Sequence, residues 1–289
     1  MPTFYYPPVG QCIYCDSPTT DLGDEHIIPF ALNGGMVLPK ASCHQCEKII
    51  QPYEMTVARR IFGHFRIKHN VQTRNKKQRP ETMKIGTLMP NGKKGTAYVP
   101  VLDHPVMLFV YKYQLATYFQ GYPPEVEINT WIPISLFNKK ELDAFIEQYH
   151  WDRMIKLLAV PVEFARQIAK IAYSYVVAEI GLGNFTPMQM TLDTIMCRTT
   201  NVCHVVGGNE ELPTPDPKGA HLLGITVHIK EPMRPVIIAG IRLFPAFDMP
   251  EYHVVVGHFD MNNEQHRNVF TQKVIIGTEQ VAVSHATDE

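Results

Sequence analysis

Three short runs near the N-terminus decide how the chain is read: Cys12-Ile13-Tyr14-Cys15, then Asp24-Glu25-His26-Ile27-Ile28-Pro29, then Ala41-Ser42-Cys43-His44-Gln45-Cys46-Glu47. The two C-x-x-C pairs flank the histidine run and offer four thiolates, the number that closes a tetrahedral structural zinc site. Each two-residue gap lets a tight turn aim both sulfurs at one ion. Four cysteines can also form two disulfides or sit as unrelated buried thiols. Two pairs spaced about a histidine-bearing loop favour zinc.

Between the pairs, Glu25 directly precedes His26, and Glu47 directly follows the last cysteine. If zinc joins the pairs, Glu47 at the start of the following helix is held near the strand that carries His26. One imidazole and two carboxylates then surround a space suited to magnesium or manganese, which prefer oxygen ligands. Such a set suits metal-assisted hydrolysis, with the imidazole taking a proton from water while charge grows on a phosphate.

The order C-x-x-C, Glu25-His26-Ile27-Ile28-Pro29, a Gly-Gly loop and a second C-x-x-C resembles the zinc-stapled branch of the HNH endonuclease family. The resemblance implies a small ββα-metal module of two short strands, a loop and a helix. It also implies that His26 is the general base, that Glu25 takes the place of the acidic metal ligand, and that Glu47 takes the place of the Asn or His that usually follows the last cysteine. The family's central Asn falls near Met36-Val37-Leu38, where this chain has no amide; Asn33 is the nearest. The clear motif covers about the first quarter of the chain. A weaker likeness to the C-terminal regions of some bacterial members touches Ala165 to Glu179 and Arg242 to Gly257. The resemblance further implies DNA as a substrate in preference to RNA, and a bacterial or phage setting with a part in defence against foreign DNA.

The whole chain of 289 residues, 45% hydrophobic and 19% charged, has the balance of an ordinary globular protein. The start, Met1 to Pro8, shows no basic and apolar leader pattern, and no apolar run reaches membrane-spanning length. The richest run, Ile168 to Ile180, carries Lys170 and Glu179. These features, with cysteines in metal spacing, point to a reducing cytoplasm. Cys197 and Cys203 read as reduced packing residues.

Net charge is −1, yet Met55 to Gly95 holds eleven basic residues against Glu81 alone. Arg59, Arg60, Arg66, Lys68, Arg74, Lys76 and Lys77 are the candidates for contact with nucleic-acid phosphates. A solubilising surface is the plainer reading of such a run, and its proximity to the histidine motif favours the polyanion. His64 and His69 are possible further ligands or phosphate contacts, though surface or core positions are the commoner fate of such residues.

The expected organisation is α+β: a zinc-bound HNH-like module over 1–70, a basic linker or hairpin over 71–95, and a larger α+β domain with an antiparallel sheet over 96–289. That domain would position substrate or hold a partner chain, or a second copy. Strands are expected at Glu25 to Pro29 and Met36 to Leu38. A helix follows from Cys46 to about Arg66, interrupted at Pro52, with Met55, Ala58, Ile61, Phe62 and Phe65 on its core face. Asn91-Gly92 marks a turn. Further on, helices are expected at Lys139 to Leu158 and Pro161 to Ile180. Strands follow at Val106 to Tyr113, Leu222 to Ile229, Val236 to Phe244, Tyr252 to His258 and Val274 to Val283. The competing reading is a zinc scaffold that binds nucleic acid or protein without turnover.

Overall fold

The computed structural model describes residues 3–15, 17, 19–71, 79–89, 91–151, 159–209, 211–214, 216 and 221–275. The first sheet is made by β1 (Phe4–Tyr5), β2 (Leu22–His26) and β3 (Met36–Cys43), in the order β1-β3-β2. β2 and β3 are antiparallel, with Glu25 opposite Leu38 and His26 opposite Val37, and a register shift between Gly23 and Glu25. The strand thus ends at His26, ahead of the β-branched pair expected to carry it. Ile27 and Ile28 instead turn fully into the core. Gly34 completes the loop that follows: a Cβ there would overlap the Ile28 carbonyl oxygen, so the close approach requires glycine.

β3 runs straight into α1 (His44–Arg60), which passes Pro52 as one helix and stops before α2 (Gly63–Lys68). α1 buries Cys46, Ile50, Tyr53, Val57 and Ala58. Met55, expected on that stripe, is 39% exposed, because the buried face lies on the positions either side of it. Phe62 and Phe65 complete the stripe and meet Phe244 at ring centroid distances of 5.5 and 4.5 Å.

A hairpin follows, β4 (Thr82–Leu88) with β5 (Lys94–Pro100), and Gly92 at its tip takes φ +76°. A second hairpin joins β6 (Met107–Tyr113) to β7 (Trp131–Phe137). α3 (Lys139–Tyr149) comes next and stops short of the expected Leu158, because His150 turns into the left-handed region at φ +48° and Trp151 bridges Thr87; residues 152–158 lie outside the described residues. Met83, Ile85, Val99, Val101, Phe145 and Trp151 form a small core of their own between β4–β5 and α3.

The central element is α4 (Pro161–Ile180), bounded as its sequence signals: proline starts it, and Gly181 ends it at φ +95°. It is followed by β8 (Thr186–Pro187), α5 (Gln189–Ile195), β9 (Val206–Gly208), β10 (His221–His228), β11 (Val236–Leu243), β12 (Tyr252–His258) and α6 (Glu264–Phe270). The order β10-β11-β12-β8, with β9 also on β12, makes a five-stranded antiparallel sheet. The architecture is therefore mixed α+β with antiparallel pairing. The strand expected at Val274 to Val283 begins in a helical turn over Thr271–Ile275, a correction there, and 276–289 lie outside the described residues.

α4 buries nearly its whole circumference, because it has the sheet on one side and α1 on another. One hydrophobic cluster runs from Tyr6, through Ile27, Leu32 and Phe65, to Val176, Ile241 and Phe270. The N-terminal unit is built into that core. Polar ties reinforce the join: the Tyr6 hydroxyl donates to Glu179 at 2.5 Å, and His221 Nε2 donates to the Leu32 carbonyl at 2.8 Å. Among the described residues no helix is long and apolar enough to cross a membrane.

Candidate functional site

Cys12 and Cys15 lie ahead of β2, Cys43 ends β3 and Cys46 lies in the first turn of α1. The strand–strand–helix path therefore returns the second pair to the first. All four Sγ atoms lie within 4.8 Å of one another, and Cys15 and Cys43 are 3.7 Å apart. Zinc–sulfur bonds of about 2.3 Å in a tetrahedron give edges of about 3.8 Å, so the set needs only small adjustments to hold zinc. None of the six cysteines is in a disulfide. Cys46 as a donor, with the Cys43 N–H at 3.4 Å, holds the Cys12 thiol down at about 4 against its burial. That thiolate character suits a metal ligand, and zinc would displace the remaining thiol protons. The chain can thus hold a metal such as zinc at this cluster.

Adjacent side chains on a strand point to opposite faces, and β2 separates Glu25 from His26 accordingly. Glu25 turns inward, where Lys170 of α4 reaches it. The Lys170 ammonium, 1% exposed, forms an ion pair with Glu25, whose side chain is 8% exposed, and another with Glu54 of α1 at 3.1 Å. It also donates to the carbonyls of His26 and Ile27, the latter at 3.5 Å. One lysine therefore ties the end of β2, the middle of α1 and the central helix together. Burial pushes the Glu25 carboxyl up to about 6, with Lys170 opposing and Glu54 reinforcing the shift. Burial alone would lower Lys170, but the two carboxylates raise it above the usual lysine value.

His26 is half-buried at the end of β2, with its ring 6.2 Å from that of Phe30. Glu47 sits on the first turn of α1 with its side chain 63% exposed, 3.7 Å from His44 Nδ1. The two carboxylates expected around one hard cation have different surroundings: Glu25 is paired with a buried ammonium, and Glu47 faces solvent. Among the described residues, the four cysteines are the only group of three or more His, Cys, Asp or Glu ligands close enough to share an ion.

The basic candidates divide. Arg59 and Arg60 are exposed at the end of α1. Arg66 donates to the Ala58 carbonyl at 3.3 Å, while Lys68 donates to the His104 carbonyl at 3.1 Å and pairs with Glu141 at 3.4 Å. Both thus serve internal contacts that compete with a phosphate. Arg74, Lys76 and Lys77 lie outside the described residues.

Sequence spacing missed Lys170, Glu54 and His44. Lys170 did leave a signal: a lysine within an otherwise apolar helical run needs a buried partner. No family model, curated protein or solved structure matches the chain.

Proposed function

We propose that this chain is an HNH-type metal-dependent endonuclease that hydrolyses DNA phosphodiester bonds, with His26 as general base. The observation that carries the reading is the strand–strand–helix unit closed by four cysteines, with a half-buried histidine at the end of its first strand. The His26 imidazole takes a proton from the attacking water as oxygen bonds to phosphorus, and the leaving oxygen departs from the opposite side and is protonated by solvent. Lys170, bound to the His26 carbonyl, positions that end of the strand from behind. Arg59 and Arg60 offer phosphate contacts that carry no sequence information.

Glu25, neutralised by Lys170, does not fit a cation-ligand role. Glu47 with His44 is the side-chain pair open to a hard cation such as magnesium or manganese, which when bound supplies charge neutralisation at the phosphate. A cytoplasmic role in bacterial defence against foreign DNA belongs to the same proposal.

A second reading is favoured by the Glu25–Lys170 pair itself: a zinc scaffold that binds nucleic acid or protein without turnover. Purified protein incubated with plasmid and single-stranded DNA in magnesium or manganese separates the two. Cleavage abolished by EDTA and by His26→Ala supports the nuclease. Salt-sensitive binding without cleavage supports the scaffold.

A further inference from the structure

A cleft of about 610 Å³ opens where the end of α1, the β4–β5 hairpin and the β6–β7 hairpin meet. Its size falls within the roughly 300–1,000 Å³ typical of small-ligand pockets. The register of β6–β7 sets Tyr111 opposite Pro133 and Phe109 opposite Ser135. One face of the hairpin therefore presents Phe109, Tyr111 and, next along β7, Trp131 to the cleft, with Trp151 on the opposing small core. The Tyr111 hydroxyl accepts from the Val160 N–H at 2.6 Å, and its ring meets Trp131 edge-on at 5.4 Å. These aromatic walls are fixed by the fold.

The rest of the lining has one sign of charge. Arg59, Arg60 and Lys84 line the cleft, and no carboxylate does among the described residues. Among the described residues none of the three forms an ion pair with a carboxylate. Two imidazoles complete the lining, His64 and His104, with rings 4.6 Å apart. His64 is exposed along this wall and can exchange hydrogen bonds with a polar edge of a ligand. Three cations alone would accept any polyanion, and aromatic walls alone would accept any apolar molecule. Their combination selects a flat aromatic group carrying a phosphate.

We propose that this cleft binds a nucleotide unit, its base against Trp131, which Tyr111 backs from the core, and its phosphate on Arg59, Arg60 and Lys84. The occupant is an unstacked nucleotide of a single strand or a free nucleoside phosphate; both have the same recognising chemistry. Binding shares Arg59 and Arg60 with the proposed substrate path but needs neither His26 nor a metal, so it can be tested apart from hydrolysis.

The chain has two tryptophans and both line the cleft, so intrinsic fluorescence reads this site directly. The full-length protein is titrated, without divalent cations, with deoxyadenosine monophosphate, deoxyadenosine, inorganic phosphate and a short oligothymidylate. Saturable quenching by the nucleotide is expected, about tenfold tighter than by the nucleoside or phosphate alone. Arg60→Gln and Lys84→Gln, both at exposed positions, should each weaken it several-fold, and Trp131→Leu, followed through Trp151 and by anisotropy of a labelled strand, about tenfold. Oligonucleotide binding tighter than mononucleotide identifies the strand as the source, and equal affinity identifies the free nucleotide. His26→Ala should quench like the parent protein, even if cleavage is lost or was never present. No quenching at millimolar nucleotide, phosphate binding as tightly as nucleotide, or affinity unchanged in all three variants would overturn the proposal.

Discussion

Lys170→Met tests how the N-terminal unit is held to the rest of the chain. The substitution keeps the length and apolar stem of the side chain but removes the ammonium that faces Glu25, Glu54 and two carbonyls. Glu25 is then left nearly inaccessible to water beside a second carboxylate. Removing one partner of a buried ion pair costs about 3–5 kcal/mol, a large share of the roughly 5–15 kcal/mol that holds a domain together. For a chain of this size each kcal/mol moves Tm by about 2–4 °C, so the melting point should fall by roughly 10 °C. Protonation of Glu25 limits the loss at low pH, so the deficit should be larger at pH 8 than at pH 5. Glu25→Gln in the Lys170→Met background removes the uncompensated charge and should recover most of the loss. Thermal and urea melts of the two single variants and the double variant supply the cycle. A loss below about 1 kcal/mol, or a double variant no more stable than the sum of the singles, would refute the view that Lys170 neutralises Glu25.

Other outcomes follow from the same contacts. Because burial raises Glu25 from 4.5 to about 6, the folded state holds a proton through that window that the unfolded chain has released. Stability should therefore fall by about 2 kcal/mol in all as pH rises from below 4 to about 7, and Tm measured against pH in Glu25→Gln should lack that component. The cysteine cluster should carry one zinc per chain, measured by elemental analysis, and Cys46→Ser should lower that content. Since the N-terminal unit shares its core with α4, chelation should lower the melting point of the whole chain; a separate early transition with the main one unmoved would contradict the shared core.

Local signals carried much of the fold. Pro161 and Gly181 bracket α4 because a proline suits the first turn of a helix and a left-handed φ suits glycine. Val- and Ile-rich runs marked β11 and β12 for similar reasons of local fit. Short apolar runs were harder to assign. Ile27-Ile28 reads as strand by composition, yet both residues fill the core in the loop after His26, while the strand itself is the less β-prone Leu22–His26. At the site, the four-cysteine cluster was legible because metal geometry imposes spacing within a few residues. The fate of Glu25 was not, because its partner arrives on a helix far along the chain, and strand alternation turns it away from His26. The aromatic and cationic cleft was also hidden, since α1, β4, β6 and β7 each contribute only part of it.

The most direct measurement is the rate of DNA cleavage by zinc-loaded parent protein and by His26→Ala, each with magnesium and with EDTA, alongside circular dichroism and zinc content. The account predicts cleavage by the parent in magnesium, none in EDTA, and a loss of at least about a hundredfold in His26→Ala with fold and zinc retained. Cleavage by folded His26→Ala at the parent rate would contradict the assignment of the base, and no cleavage by zinc-loaded parent in either metal would contradict the nuclease.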